Sequence, residues 1–347
     1  LPIWLAALSG VELGVDVHWH SHELLLGFAG ALLTGFFLTA VPKWTGSTPV
    51  TGAPLGALVG LWLVARGARL AWPSLPLDAL FLLLVALQIG AVIVRSRSVR
   101  NGWFPLLLLS LAGADVVLHL WPEHAPVAER VAAFSVVSVI VIFGGRITPL
   151  FSRGALKGLA TVRDPNLVDR LAVASALLLV PLAVWPEPAL VVAVAGLGAL
   201  LHAARMVGWG GSAALGKPIL LVLHVGYAWV AVAMALWAVA AWRPDLVYPA
   251  TALHALTVGV LGTFSLGMMS RVTLGHTGRP LKVGRLMALA YAAMVLAGLL
   301  RVFGALSPSR PLWVLHASGS LWMLAFGIFL FRFAPRLLAP RVDGKPG

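Results

Sequence analysis

Long apolar runs follow one another along almost the whole chain, and nearly all of its charged residues lie between them. A helix that spans a bilayer needs about 20 apolar residues. Runs of that length lie near residues 20–41, 53–71, 76–94, 103–121, 127–150, 167–185, 188–207, 217–241, 247–270, 283–306 and 311–333. Charged residues make up only 11% of the chain, so that no stretch resembles a soluble domain.

These runs predict an all-α fold, a polytopic transmembrane helical bundle that forms a single integral membrane domain over residues 1–347. A shorter apolar stretch at 1–9 precedes the eleven long runs, and we expect it to be a truncated first helix. The expected total is therefore about 12 helices. Within the second of them, Pro42 and Gly46 are expected to end the span, because proline interrupts a helix.

Two kinds of loop alternate along the chain. One kind contains tryptophan and proline, at Trp72-Pro73, Trp121-Pro122, Trp185-Pro186 and Trp242-Arg243-Pro244. The other kind and the tail are basic, with Lys43, Arg95, Arg97, Arg100, Arg153, Lys157, Arg205, Lys217, Arg279, Lys282, Arg336, Arg341 and Lys345. The positive-inside rule then predicts a multi-pass membrane protein whose basic loops and C-terminus lie in the cytoplasm. The net charge of +13 reflects this topology and does not indicate nucleic-acid binding, which would need a soluble basic module.

The chain contains no cysteine, which restricts the metal sites that it can form. Thiolate sites, iron–sulfur clusters and covalently attached haem are excluded. Any metal must be held by nitrogen, oxygen or thioether ligands, and the last are limited to seven methionines.

The densest group of metal-capable side chains is the segment His18-Trp-His20-Ser-His22-Glu23 at the start of the second run. If the segment is helical, His18 and His22 share one face, and His20 and Glu23 share another. If it is extended, the three histidines line one side. In both arrangements several ligands converge on one small region, which predicts a metal site there without selecting the histidines that bind. The alternative is a polar cap at the membrane interface that is hydrogen-bonded to water and headgroups.

Two further histidines, His224 and His254, lie inside apolar runs. A neutral imidazole in apolar surroundings suits an axial haem ligand whose other nitrogen is hydrogen-bonded, and Tyr227 and Thr257 lie nearby in sequence. The alternative is a pair of buried histidines bonded across helices without a cofactor. The single residues His119, His202 and His316 are interpreted in that second way.

Basic residues next to these runs could bind an anion. Arg271 and His276 occur in Arg271-Val-Thr-Leu-Gly-His276-Thr-Gly-Arg279. Arg146 follows two glycines in the apolar run at 127–150. Arginine and backbone amides can clamp haem propionates. The alternative for both sites is that the arginines only belong to positive-inside loops.

Several blocks of the sequence together resemble the NnrS family. They begin with His20-Ser-His22-Glu23-Leu24 and Gly35-Phe-Phe-Leu-Thr-Ala-Val-Pro42-Lys-Trp-Thr-Gly46. They continue with Gly145-Arg146-Ile-Thr-Pro149, Arg205-Met-Val-Gly-Trp209, Leu223-His224-Val-Gly-Tyr227-Ala-Trp229, His254-Ala-Leu-Thr257, Arg271 to Arg279 and Pro340 to Gly347. The resemblance extends almost from end to end. Leu24 departs from the methionine expected in many members, which removes a thioether.

The resemblance implies an inner-membrane protein that contains haem and copper and is linked to nitric oxide in denitrifying bacteria. It implies functional positions at His20, His22, His224, His254 and His276, with Glu23 beside the first pair. The absence of cysteine agrees with haem b bound through imidazole.

The leading hypothesis is a nitric oxide reductase-type oxidoreductase that reduces NO to N2O, or otherwise detoxifies it. Haem iron would be bound by His224 and His254, with Arg146, Tyr227, Arg271 and His276 near the haem. A second metal, copper or another non-haem ion, would be held by His20, His22 and Glu23.

In this hypothesis Glu23 and His22 would act catalytically by relaying protons, and quinol would supply electrons. By the expected topology His224 and His254 differ in depth by roughly 15 Å, so that they cannot bind the same iron. The alternative function is a secondary transporter or a non-catalytic protein that binds haem, metal or NO.

Overall fold

The computed structural model describes residues 1–71, 75–159, 161–163, 166–306 and 311–344. The expected turn at Trp72-Pro73 and the tail residue Lys345 lie outside this range. The described residues form twelve helices and contain no strand. The helices are α1 (Pro2–Leu8), α2 (Val17–Thr45), α3 (Gly52–Ala71), α4 (Leu77–Arg95), α5 (Trp103–Leu120), α6 (Ala125–Ala155), α7 (Leu167–Val184), α8 (Pro188–Val207), α9 (Pro218–Trp242), α10 (Pro249–His276), α11 (Arg285–Phe303) and α12 (Leu312–Leu337).

Eleven of these helices, α2 to α12, are long and apolar enough to cross a membrane. The chain is therefore a multi-pass membrane protein, and the predicted polytopic helical bundle is confirmed. The first apolar stretch forms the seven-residue helix α1.

Helix α2 is longer at both ends than the sequence predicts. Asp16 begins it by accepting a hydrogen bond from the backbone N–H of Trp19 at 2.7 Å, which satisfies one of the free donors of the first turn. The segment His18–Glu23 is therefore helical. Of the two residues expected to end the span, Gly46 does so, with φ at +68°, whereas the expectation for Pro42 is wrong, because the helix continues to Thr45. Proline lacks only its own N–H donor, so that a helix can continue through it with the loss of one hydrogen bond.

The described chain divides into two compact units. The N-terminal unit consists of Gly10–Val139 with Ala183–Trp185 and contains α2 to α5 and the first part of α6. Helix α4 packs against α2, α3 and α5. The buried polar side chains described in the next subsection lie near the start of α2 and α4 and near the end of α3 and α5. These four helix ends adjoin because consecutive spans are antiparallel.

The C-terminal unit consists of Leu1–Ser9, Ile140–Leu182 and Pro186–Gly347. In it, α9 packs against α8 and α10, α11 packs against α12, and α1 contacts α12. Helices α9 and α10 approach closely where Gly226 meets Phe264, since a Cβ at Gly226 would lie 2.7 Å from the backbone nitrogen of Phe264. The prediction of a single domain over 1–347 stays a prediction.

Two helices contain a π-helical segment, and each segment directly follows a histidine. The segment Glu23–Phe28 follows His22 in α2, and Ala255–Gly262 follows His254 in α10. Such segments are frequent at functional sites, because the extra residue in the turn re-aims the side chains around it.

Candidate metal and cofactor sites

The N-terminal unit contains a buried group of two imidazoles and one carboxylate. His22 comes from α2, and Asp115 and His119 lie one turn apart on α5. The Asp115 carboxylate lies 2.8 Å from His22 Nε2 and 3.2 Å from His119 Nδ1. The His22 and His119 side chains are each only 1% exposed, and Asp115 is 0% exposed. One ligand atom from each residue lies within 4.8 Å of the others, so that this group could hold a metal ion.

A ring of charged side chains adjoins this group. Arg66 of α3 donates to Glu23 Oε1 at 2.6 Å and also to Asp78 Oδ2. Asp78 Oδ2 lies 3.5 Å from His22 Nε2, and Glu23 Oε1 lies 3.3 Å from His22 Nδ1. Three carboxylates thus surround His22. The Arg66 guanidinium pairs with two of them, those of Glu23 and Asp78. We call these six residues, Glu23, His22, Arg66, Asp78, Asp115 and His119, the His22 cluster.

Two contacts between helices place Arg66 in the cluster. A Cβ at Gly27 would lie 2.1 Å from Arg66 Nη1, so that only glycine leaves room for this guanidinium. Trp62 donates from Nε1 to the Gly27 carbonyl at 3.0 Å, and the Arg66 guanidinium lies 5.7 Å from the centre of the Trp62 ring. These contacts tie α3 to the π-helical turn of α2.

Asp78 and Asp115 are each held from a second side. Asp115 Oδ2 accepts from the backbone N–H of Ala79 at 2.7 Å, which joins α5 to the first turn of α4. Asp78 Oδ1 is buried and has no hydrogen-bond partner among the described residues. A buried carboxylate oxygen without a partner is costly, and a bound cation would relieve that cost.

The structure brings together some of the predicted metal ligands and adds others. His22 and Glu23 belong to the cluster, whereas His20 is half-buried on α2 and lies outside the metal-capable group. His18 pairs instead with Glu129 at 2.9 Å. The sequence reasoning missed Arg66, and it interpreted His119 as a single core histidine. A charge inside an apolar run was the signal for Arg66.

The C-terminal unit also contains buried imidazoles, among them His224 on α9. Its Nε2 lies 3.0 Å from the Ser152 hydroxyl, which donates to the Thr148 carbonyl at 2.9 Å. Its Nδ1 is buried and has no hydrogen-bond partner among the described residues. The Trp209 ring lies edge-on, with its centre 6.3 Å from that of His224. One ring nitrogen is therefore fixed and the other is available to a ligand.

A buried polar network lies beside His224. Arg205 of α8 donates from Nε to Asp169 at 2.9 Å and from Nη1 to the Tyr227 hydroxyl at 2.5 Å. The Tyr227 hydroxyl also lies 3.0 Å from His202 Nδ1. Gly145 makes room for this network, since a Cβ there would lie 1.9 Å from Arg205 Nη2. The predicted cofactor residue Tyr227 is thus fully buried in a network that the sequence did not predict.

His254 is not close to His224. It is half-buried, its Nδ1 lies 2.6 Å from the Ala250 carbonyl, and Arg301 donates to its Nε2 at 2.9 Å. The contact between Gly226 and Phe264 places His224 level with about Leu266 of α10. At 1.5 Å per residue that level is about 18 Å from His254 along the helix. The structure therefore does not bring the two predicted haem histidines to one iron.

The remaining predicted cofactor residues each have contacts of their own. The Arg271 guanidinium lies 3.6 Å from the centre of the Phe151 ring. The backbone carbonyl of His276 accepts from Arg341 Nη1 at 2.8 Å, as the chain after α12 packs against the end of α10. Arg146 is half-buried on α6. A role for these residues in binding an anion stays a prediction.

The comparisons with known proteins give one family. Residues 1–341, nearly the whole chain, match the model of a family described as NnrS protein. Comparison with curated proteins and comparison with solved structures gave no significant match.

Proposed function

The chain belongs to the NnrS family, and on that premise we propose that it is a haem-containing membrane redox protein that acts on nitric oxide. The resemblance of its blocks to this family supports haem, a second metal and NO as its chemistry. We propose reduction of NO to N2O as the reaction. Two NO molecules, two electrons and two protons then give one N2O and one water.

His224 is the residue that we assign to haem b. The observation that carries this assignment is its buried Nδ1, which has no partner among the described residues, while Ser152 fixes Nε2. A histidine that binds a metal through one ring nitrogen usually donates the N–H of the other, and that hydrogen bond sets the ring orientation. Haem iron bound there would supply NO binding and one-electron chemistry. His254 would serve a different group, because it lies about 18 Å away along α10.

We assign the second metal to His22, Asp115 and His119 rather than to His20. Their ligand atoms converge within 4.8 Å, and all three side chains are buried. Glu23 and His22 would handle protons, since Glu23 is 21% exposed and lies 3.3 Å from His22. A quinol in the bilayer is the electron donor that fits a protein made almost entirely of membrane spans.

A protein that binds or carries a metal cation without turnover is the second candidate. The observation that favours it is the buried acidic content of the His22 cluster, where Asp78 and Asp115 are 3% and 0% exposed. Intramembrane carboxylates of this kind also occur on ion pathways. Turnover of NO by the haem-loaded protein would distinguish the enzyme from the carrier.

For the location we propose the bacterial inner membrane, with the C-terminus and the basic loops in the cytoplasm. The excess of Lys and Arg in alternate loops supports this orientation.

An oxidised-minus-reduced absorption spectrum of the detergent-purified protein tests the proposed function. It would be combined with a pyridine haemochrome assay and total metal analysis. A b-type spectrum that changes when NO is added is the expected result. His224→Ala should lose the haem, and His254→Ala, the matched histidine on the adjacent helix, should keep the His224-bound haem. A well-folded protein that contains no haem would overturn the proposal.

A further inference from the structure

We propose that the His22 cluster is a non-haem iron(II) site, in which His22, His119 and Asp115 bind the ion and Asp78 lies beside it. The inference deepens the proposed function, on which its NO chemistry rests. The family resemblance implies copper as the second metal, and the inference assigns iron(II) instead. Four observations support it: the type of donor, the absence of sulfur, the charge balance and the partnerless oxygen of Asp78.

The donor set matches a known class of metal site. Two imidazoles and one carboxylate on one face of an ion, with the other positions open, are typical of non-haem ferrous sites. His22, His119 and Asp115 provide that set, and one ligand atom of each lies within 4.8 Å of the others. Three protein ligands leave room for a small ligand such as NO.

The N-terminal unit contains no sulfur ligand. The chain has no cysteine, and its methionines all follow residue 200, at Met206, Met234, Met268, Met269, Met287, Met294 and Met323. The stretch Gly10–Val139 therefore offers only nitrogen and oxygen. Cu(I) is selected by soft thiolate and thioether ligands, whereas imidazole with carboxylate suits a harder divalent ion.

The charges in the cluster call for a divalent cation. Glu23, Asp78 and Asp115 contribute three negative charges, and Arg66 contributes one positive charge, which leaves a net charge of −2 when the imidazoles are neutral. Unpaired charge at membrane depth is costly. One divalent ion bound to neutral His22 and His119 brings the sum to zero, and a monovalent Cu(I) would not.

The position of Asp78 supplies the fourth argument. Its Oδ2 lies 3.5 Å from His22 Nε2, and its buried Oδ1 has no hydrogen-bond partner among the described residues. A carboxylate that lies next to the His22 imidazole and has one partnerless oxygen fits a ligand or a direct neighbour of a bound ion. Among divalent ions, Zn²⁺ has no redox chemistry. Iron(II) and Cu(II) both change oxidation state, but Cu(II) favours a tetragonal set of nitrogen and oxygen ligands, whereas two imidazoles and one carboxylate are the set typical of iron(II).

The test measures non-haem iron and its response to NO on the full-length protein in detergent. Affinity alone is a poor test, because most sites bind Cu²⁺ and Zn²⁺ more tightly than Fe²⁺. The metal content of the protein as isolated is therefore combined with electron paramagnetic resonance after reduction and NO addition. A non-haem ferrous–NO centre gives a quartet-state signal, and haem–NO gives a doublet. The inference predicts one non-haem iron per chain and the quartet signal.

The variants Asp115→Asn and His119→Gln should each lose this iron and the quartet signal while keeping the haem. The first replacement preserves the shape of the side chain, and the second covers the case in which the first fails to fold. Asp78→Asn should weaken Fe(II) binding roughly 10–100-fold, as changes next to the direct ligands do. His18→Gln is the matched control and should keep the iron, since His18 lies on α2 like His22 but pairs with Glu129 of α6, outside the cluster.

Copper or zinc in place of iron, or iron that persists in both Asp115→Asn and His119→Gln, would overturn the inference. The haemochrome assay on the same sample separates this outcome from failure of the proposed function. A protein with non-haem iron and no haem would sink the proposed function and support the inference. A protein with haem and with copper in the His22 cluster would support the proposed function and overturn the inference.

Discussion

His22 and His224 are both buried imidazoles close to one end of a membrane span, but their surroundings differ. His22 has a carboxylate on each ring nitrogen, Glu23 at 3.3 Å and Asp115 at 2.8 Å. His224 has a neutral hydroxyl on one nitrogen, Ser152 at 3.0 Å, and no partner among the described residues on the other. The surroundings of His22 in the N-terminal unit thus suit a bound cation. Those of His224 in the C-terminal unit suit a neutral imidazole that binds haem iron.

The charged networks of the two units also differ in the balance between positive and negative side chains. In the C-terminal unit, Asp169 is paired with both Arg163 and Arg205, at 2.8 and 2.9 Å, so that the positive charges outnumber the carboxylate. In the N-terminal unit, three carboxylates face one arginine. The Asp169 carboxylate thus has its counter-charges without a metal, whereas the three carboxylates of the His22 cluster gain from one. The following predictions test this difference, from the largest expected effect to the smallest.

Replacing Asp169 by Asn should destabilise the protein most. The change leaves the 3%-exposed Arg205 without its carboxylate, and breaking a buried ion pair in this way costs about 3–5 kcal/mol. Thermal unfolding in detergent measures the loss. Added Fe(II) should not restore the melting temperature, because this network needs no metal. Full restoration by iron would contradict the comparison.

Replacing Arg66 by Gln should have a smaller effect that depends on metal. Glu23 and Asp78 lose their shared charged donor, which should cost about 1–3 kcal/mol in the metal-free protein. The cluster then carries one more uncompensated negative charge, so Fe(II) should raise the melting temperature more than it does in the wild type. Melting curves with and without Fe(II) check this. An equal rise in both proteins would count against the charge argument.

Replacing Ser152 by Ala should weaken haem binding without abolishing it. His224 keeps its ligand nitrogen but loses the hydrogen bond that orients the ring, and such changes typically cost about 10–100-fold in affinity. Haem titration of the haem-depleted protein measures the change. Ser110→Ala is the matched control, because Ser110 is bonded to Ser135 in the N-terminal unit at 2.7 Å. An equal loss in both variants would show a general packing effect.

Replacing Asp245 by Asn should change neither haem nor metal content. Asp245 and Arg243 form an exposed pair at 2.7 Å in the loop between α9 and α10, where the hydrogen bond from Arg243 lowers the pKa of Asp245. Exposed pairs contribute little to stability. Thermal unfolding beside that of Asp169→Asn tests whether burial decides the outcome, and metal and haem assays measure the cofactor content. Loss of either cofactor in Asp245→Asn would oppose this view.

The helices were predictable from the sequence because their signal is local. Each span needs only its own apolar residues, and the eleven long runs all appear as α2 to α12. The ends were less predictable. Helix α6 extends to Ala155 and α10 to His276, beyond the expected residues 150 and 270, because a helix continues past its apolar part where polar residues still satisfy its backbone.

The candidate sites were only partly predictable, because they are assembled from several spans. His22 and Glu23 stand out by their local density of metal-capable groups, and His224 stands out by its apolar surroundings. His119 and Arg66 join His22 only through the packing of α2, α3, α4 and α5, which no single stretch of sequence encodes. The π-helical segment after His22 also depends on packing and has no sequence signal of its own.

The most direct test of the central claim, that the two units hold different cofactors, compares His22→Ala with His224→Ala. Haem is measured by the pyridine haemochrome assay and non-haem iron by metal analysis on the same samples. The account predicts that His22→Ala loses the non-haem iron and keeps the haem, while His224→Ala loses the haem and keeps the non-haem iron. Loss of the same cofactor in both variants, or retention of both cofactors in either, would contradict it.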